Sequence, residues 1–265
     1  MIRALAACLL AASLLPQALP AQSGEKVDPA TGKKAGPPRV RGPLQLKLGP
    51  ALAVDLSGEK ADAAPKAFTP ALGAWRIVAH EGRNALMADG RPWKQAQGTG
   101  SLASTARSVP GAKQEAFIES VKAFAYYPYA LAAGLPDFRE GELSVRFKVL
   151  AGDLDQCAGI VFNIKPCGDY LALRFNGKED NLVLWTFFEG KRSFVVRAPE
   201  DVALPLNTWH TLKVVVKGNR LEGWIDDRRL LDYALPYTVN GKVGVWTKTD
   251  SVALFEDFTM RPAVE

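Results

Sequence analysis

The chain has 265 residues, 48% of them hydrophobic, and a formal net charge of +5. That is enough apolar material to bury the core of one large β domain once flanking segments are set aside. The basic residues are scattered rather than gathered into a helix face or an aromatic-interleaved stripe, which argues against nucleic acid as a partner.

Met1-Ile2-Arg3 precedes an uncharged apolar run over residues 4–15, then Pro16, Pro20 and small residues around Ala21. This pattern predicts a secretory signal peptide over residues 1–21, cleaved after Ala21. Its apolar core is too short to span a bilayer, and no later uncharged run approaches the roughly 20 residues that a membrane helix needs. The expected product is a periplasmic or secreted protein with no transmembrane anchor. Cys8 leaves with the signal, so only Cys157 and Cys167 remain, in what reads as one hairpin. Export favours a disulfide between them, the alternative being two unpaired thiols on adjacent strands.

Residues 22–49 are rich in proline and glycine and lack both the two-residue and the 3.6-residue apolar period, so they read as a disordered linker. The basic cluster Lys33, Lys34, Arg39 and Arg41 within it reads as part of a soluble tether. The folded domain is expected over residues 50–262. Strand signals fall at 52–56, then at 75–78 and 85–88 as a hairpin across Glu81-Gly82-Arg83. A polar, Gly- and Ser-rich stretch at 91–111 suits a loop that shapes a binding face.

Strand signals resume at 116–121. They become dense at 143–150, 157–164, 170–175, 182–188, 194–197, 211–216, 221–225, 243–247 and 252–258. Asp226-Asp227 suits a hairpin turn leading to Leu230-Leu231. No long amphipathic helix competes with the strands.

Because successive side chains of a strand point to opposite faces, alternation assigns Leu171, Leu173 and Phe175 to a core. Tyr170, Arg174 and Asn176 then share the other face. In the preceding strand Ile160, Phe162 and Ile164 form the apolar set, leaving Asn163 to join Arg174 on one polar patch.

Ala158-Gly159-Ile160-Val161-Phe162, Asp169 through Arg174, the residues Asn176, Glu179 and Asn181, Gly190-Lys191-Arg192, Trp209-His210-Thr211-Leu212 and residues 241–251 together resemble exported bacterial concanavalin A-like sandwich domains. Within that group the chain is similar to the laminin-G-like domains and to the family named for 3-keto-disaccharide hydrolysis, many of whose members are called family 16-like glycoside hydrolases. The resemblance implies an all-β jelly roll of two antiparallel sheets, with glycans contacted on the concave sheet or its rim loops. The Glu-x-Asp-x-x-Glu or Glu-x-Asp-x-Glu strand motif of true family 16 glucanases is absent from the sequence, which speaks against retaining chemistry of that kind.

The leading candidate is a glycan site built of Asn163, Tyr170, Arg174, Asn176, Glu179, Asn181, Trp185 and Arg192. Planar donors and acceptors grip sugar hydroxyls, and an aromatic ring stacks on the apolar face of a pyranose. The plain alternative is a solvated sheet face on which Arg174 bridges Glu179. Rival functions are hydrolysis or elimination of (3-keto-)glycosides, with Glu179 or Asp169 as the acting carboxylate, and a non-catalytic envelope docking module. His80 and His210 read as structural, as does Trp246. No cofactor is expected, although Asp153 and Asp155 are the residues that would hold a structural calcium ion.

Overall fold

The computed structural model describes residues 41–92, 127–189 and 191–265. The predicted signal peptide, most of the predicted linker, residues 93–111 of the polar stretch and the predicted strand at 116–121 lie outside these.

Every named element is a strand: β1 (Leu52–Ala53), β2 (Phe68–Leu72), β3 (Trp75–His80), β4 (Arg83–Asp89), β5 (Tyr129–Ala132), β6 (Gly141–Ala151), β7 (Cys157–Ile164), β8 (Tyr170–Asn176), β9 (Asn181–Phe188), β10 (Lys191–Arg197), β11 (His210–Lys217), β12 (Arg220–Ile225), β13 (Arg228–Ala234), β14 (Lys242–Trp246) and β15 (Val252–Pro262). They form two open antiparallel sheets. The eight-stranded one runs β13-β12-β11-β6-β15-β4-β3 with β1 added on β15, and the seven-stranded one runs β10-β9-β8-β7-β14-β5-β2. The predicted alternation explains how they pack. Leu171, Leu173 and Phe175 of β8, with Leu182 and Leu184 of β9, meet Leu143, Val145 and Phe147 of β6 and Leu212 and Val214 of β11 in one continuous core. Phe147 and Phe175 touch across it, with ring centroids 5.8 Å apart. Among the described residues no helix is long and apolar enough to cross a membrane.

Three local features depart from the sequence reading. Asn163 has a left-handed φ of 56°, and the pairing of β7 with β14 slips between Lys242 and Gly244. This bulge turns Ile164 away from Ile160 and Phe162 and onto the outer face of the sheet.

The second departure concerns the cysteines, both of which are free. Cys157 opens β7 opposite Asn176, whereas Cys167 lies in the turn beyond Ile164, at the other end of the strand. At about 3.3 Å per residue, β7 alone holds them roughly 20 Å apart, far beyond the ~7 Å Cα separation that a disulfide tolerates.

Third, residues 43–49 belong with the sandwich, in the unit Pro43–Glu265. Leu44 N donates to Glu222, and Leu48 bridges Ala263.

Candidate functional site

The outer face of the seven-stranded sheet carries an aromatic layer quite unlike the aliphatic core beneath it. Tyr127, Tyr129, Tyr170, Phe187 and Trp246 cluster there, with Trp185 at the side. Alternation produces the layer: Gly244 and Trp246 face outward on β14 while Val243 and Val245 face the core, and on β9 Trp185 and Phe187 alternate with Leu182 and Leu184. Tyr170 stacks on Phe187 at 4.2 Å and accepts a hydrogen bond from Trp246 Nε1 at 3.4 Å. Tyr127, just before β5, lies over Trp246 with ring centroids 5.8 Å apart and planes 17° from parallel. The strand floor between the rings is made small by Gly159, Val161, Ala172 and Gly244, which pair in adjacent strands. Gly159 leaves room for its partner Arg174, since a Cβ there would sit 3.1 Å from that of the arginine.

Polar groups gather at the β8-β9-β10 end of this face. Arg174 is 1% exposed. Its Nη1 donates to Asn181 Oδ1 at 2.7 Å and its Nη2 to Glu179 Oε2 at 2.7 Å, while Asn181 Nδ2 also donates to Glu179, at 3.0 Å. Burial pushes the Glu179 carboxyl up, but the Arg174 and Asn181 hydrogen bonds outweigh it and hold the pKa down at about 2. The Arg192 guanidinium lies 4.1 Å from the Trp185 ring centroid and 4.9 Å from that of Tyr127. Phe194, opposite Trp185 in β10, meets it edge-on at 5.8 Å and is 59% exposed. Three donors in this corner are buried without a partner among the described residues: Arg174 Nε, Trp185 Nε1 and Arg192 Nη1. Each such group costs about 1–3 kcal/mol unless something bonds it, and buried polar atoms of native proteins seldom go unmet.

Five of the eight residues singled out from sequence therefore come together: Arg174, Glu179, Asn181, Trp185 and Arg192. Tyr170 joins them as part of the aromatic floor. Asn163 does not. Gly159, not Asn163, pairs with Arg174, and the Asn163 side chain accepts from Asn240 N at 2.9 Å beyond the bulge. Asn176 is consumed structurally, accepting from the Gln156 and Lys178 amides and donating to Asp155. Sequence reasoning left Tyr127, Tyr129, Phe187 and Phe194 out of the site, although the alternation of Phe187 with Trp185 carries the signal.

The remaining candidates have structural partners. Asp155 is buried and accepts from Asn176 Nδ2, Lys248 Nζ and Thr249 Oγ1. Asp250 accepts from the consecutive amides of Asp153, Leu154 and Asp155. The residues offered to calcium thus build a turn anchor, and no group of three or more His, Cys, Asp or Glu gathers for a metal ion among the described residues. His210 Nδ1 lies 3.0 Å from Asp226 and its ring packs on Phe147. His80 Nε2 sits 3.0 Å from Lys148 Nζ.

No family model matches the chain, and no curated protein matches it either. Solved structures do. The carbohydrate-binding module CBM66 from Bacillus subtilis aligns with a TM-score of 0.51 at 14% identity, over 72% of this chain and 93% of that one. The Crh5 transglycosylase, in its apo form, gives 0.48 at 9% identity over 81% and 85%. The galectin LEC-6 of Caenorhabditis elegans gives 0.37 at 16% identity over 48% and 86%. With the two antiparallel sheets, the first of these likenesses makes the protein a concanavalin A-like jelly-roll sandwich, as its sequence predicts. At such identities it speaks to fold alone.

Proposed function

We propose that this is an exported carbohydrate-binding protein that takes its glycan at the β8-β9-β10 corner of the seven-stranded sheet. The observation that carries the reading is the convergence of three unpartnered buried donors, on Arg174, Trp185 and Arg192, beside an aromatic layer. Sugars supply what such a corner lacks: hydroxyl oxygens that accept from fixed N–H groups, and C–H faces that lie against rings. Tyr127 stands outside the strands and Arg192 on the edge strand, so rotation of these two side chains admits the ligand without breaking the sheet. The name of CBM66 describes the same use of this fold.

Hydrolysis has weaker support. A glycosidase needs two carboxyl groups about 5–10 Å apart, one of them protonated as the acid. Glu179, held at about 2, is ionised at neutral pH. Asp169 stands at the opposite end of β8, where it accepts from the Glu189 amide.

The test is a glycan array probed with the purified protein and with Trp185→Phe, which keeps the ring and removes the indole donor. Binding by the wild type that weakens in the variant, with the circular dichroism spectrum unchanged, supports the site. A folded wild type that binds no glycan sinks the reading and turns attention to the docking role.

A further inference from the structure

Resting on the carbohydrate reading of this same corner, we infer that the bound sugar carries a carboxylate, as a uronic acid does, and that Arg192 receives it. The charge balance of the face comes first. Arg174 is paired with Glu179 at 2.7 Å, and Lys248 at the other side is paired with Asp155 at 2.8 Å. Arg192 faces the same layer and makes no ion pair with any described residue. Its neighbours are the Trp185 and Tyr127 rings.

Geometry makes the requirement more specific. Rings against the guanidinium restrict its approach to the plane of the N–H fork, where Nη1 is buried and unbonded. A hydroxyl meets one of those donors and leaves the charge unbalanced. A carboxylate is planar, carries two oxygens at the spacing of the fork and cancels the charge. Arg197 lies further along the same face of β10, opposite Val183, whereas Lys191 pairs with Phe188 and points to the other face. Arg197 is tied to Asp201 at 2.6 Å. Among the described residues Arg192 is therefore the cation on this face of the strand that has no ion-pair partner, and its Nη1 is buried without a bond.

The inference is tested by titrating the protein with polygalacturonate, alginate and glucuronoxylan, each beside its carboxyl-reduced form, with a panel of neutral glucans, mannans and fructans run in parallel. At least one acidic polymer is expected to bind and to lose about tenfold or more in affinity on carboxyl reduction. Arg192→Lys, which keeps the charge but not the fork, is expected to lose a similar factor for the acidic polymer. Equal binding of an acidic polymer and its reduced form, or an unchanged affinity in Arg192→Lys, overturns the inference. Binding confined to neutral glycans overturns it while leaving the carbohydrate reading standing. Absence of binding to every polymer by a folded protein overturns both.

Discussion

Replacing Glu179 with glutamine removes a charge from beneath Arg174 while keeping the shape of the turn between β8 and β9. Its carboxyl is held near 2 rather than at the ordinary 4.5. At about 1.4 kcal/mol per pKa unit that displacement converts to roughly 3 kcal/mol of folding stability. The carboxylate is 43% exposed, however, and solvent screening reduces the figure to about 1–1.5 kcal/mol. The sign is that of a depressed acid: the contribution is complete above pH 4.5 and is lost as the pH falls toward 2. The difference between wild type and Glu179→Gln, read from urea unfolding, is therefore about 1–1.5 kcal/mol at pH 7 and less than half of that by pH 3. A difference that stays constant from pH 7 to pH 3 refutes the pairing, since an uncharged packing defect does not titrate.

Asp250→Ala leaves three consecutive amides without their acceptor and is expected to cost about 2–4 kcal/mol, with faster hydrogen exchange at residues 153–155; slow exchange there contradicts the anchor. Burial pushes the Cys157 thiol up to about 12, so in the native protein iodoacetamide is expected to label half-exposed Cys167 and spare Cys157 until denaturation. Protection of both until a reductant is added points instead to a disulfide. Expressed with its own N-terminus in a bacterium with a general secretory pathway, the protein is expected in the periplasm or medium with Gln22 as its first residue; an intact Met1 in the cytoplasm contradicts export.

Most of the sandwich is legible in the sequence because its strands announce themselves by alternation or, where both faces are buried as in β7 and β8, by short apolar runs between turn residues. The strands from β6 to β12, with β14 and β15, follow these patterns closely. β2 and β5 do not, and each has a physical reason. β2 carries Pro70, which reads as a break, and it survives because it is the outermost strand of its sheet. β5 is the short run Tyr-Ala-Leu-Ala, with no polar residue to reveal its faces.

The bulge at Asn163 is invisible for a related reason. Phe162-Asn163-Ile164 alternates perfectly on paper, yet a left-handed residue inserts one extra step and turns Ile164 over. The cysteine pairing failed because nearness in sequence across a hairpin is not nearness in space when the two residues stand at opposite ends of one strand. Within the site, Arg174, Asn181 and Trp185 were readable because their apolar neighbours fix their face. The aromatic layer was not. Whether Trp246 enters the inner or the outer cluster depends on the register of β14, which the run Gly-Val-Trp leaves open.

The most direct test of the central claim is hydrogen–deuterium exchange of the protein with and without a glycan that it binds. The account predicts slowed exchange in peptides covering residues 170–197, which hold β8, β9 and β10, and no change in those covering 210–234 on the opposite sheet. Protection confined to residues 210–234, or to the β3-β4 edge, would place the glycan on the other sheet and contradict it.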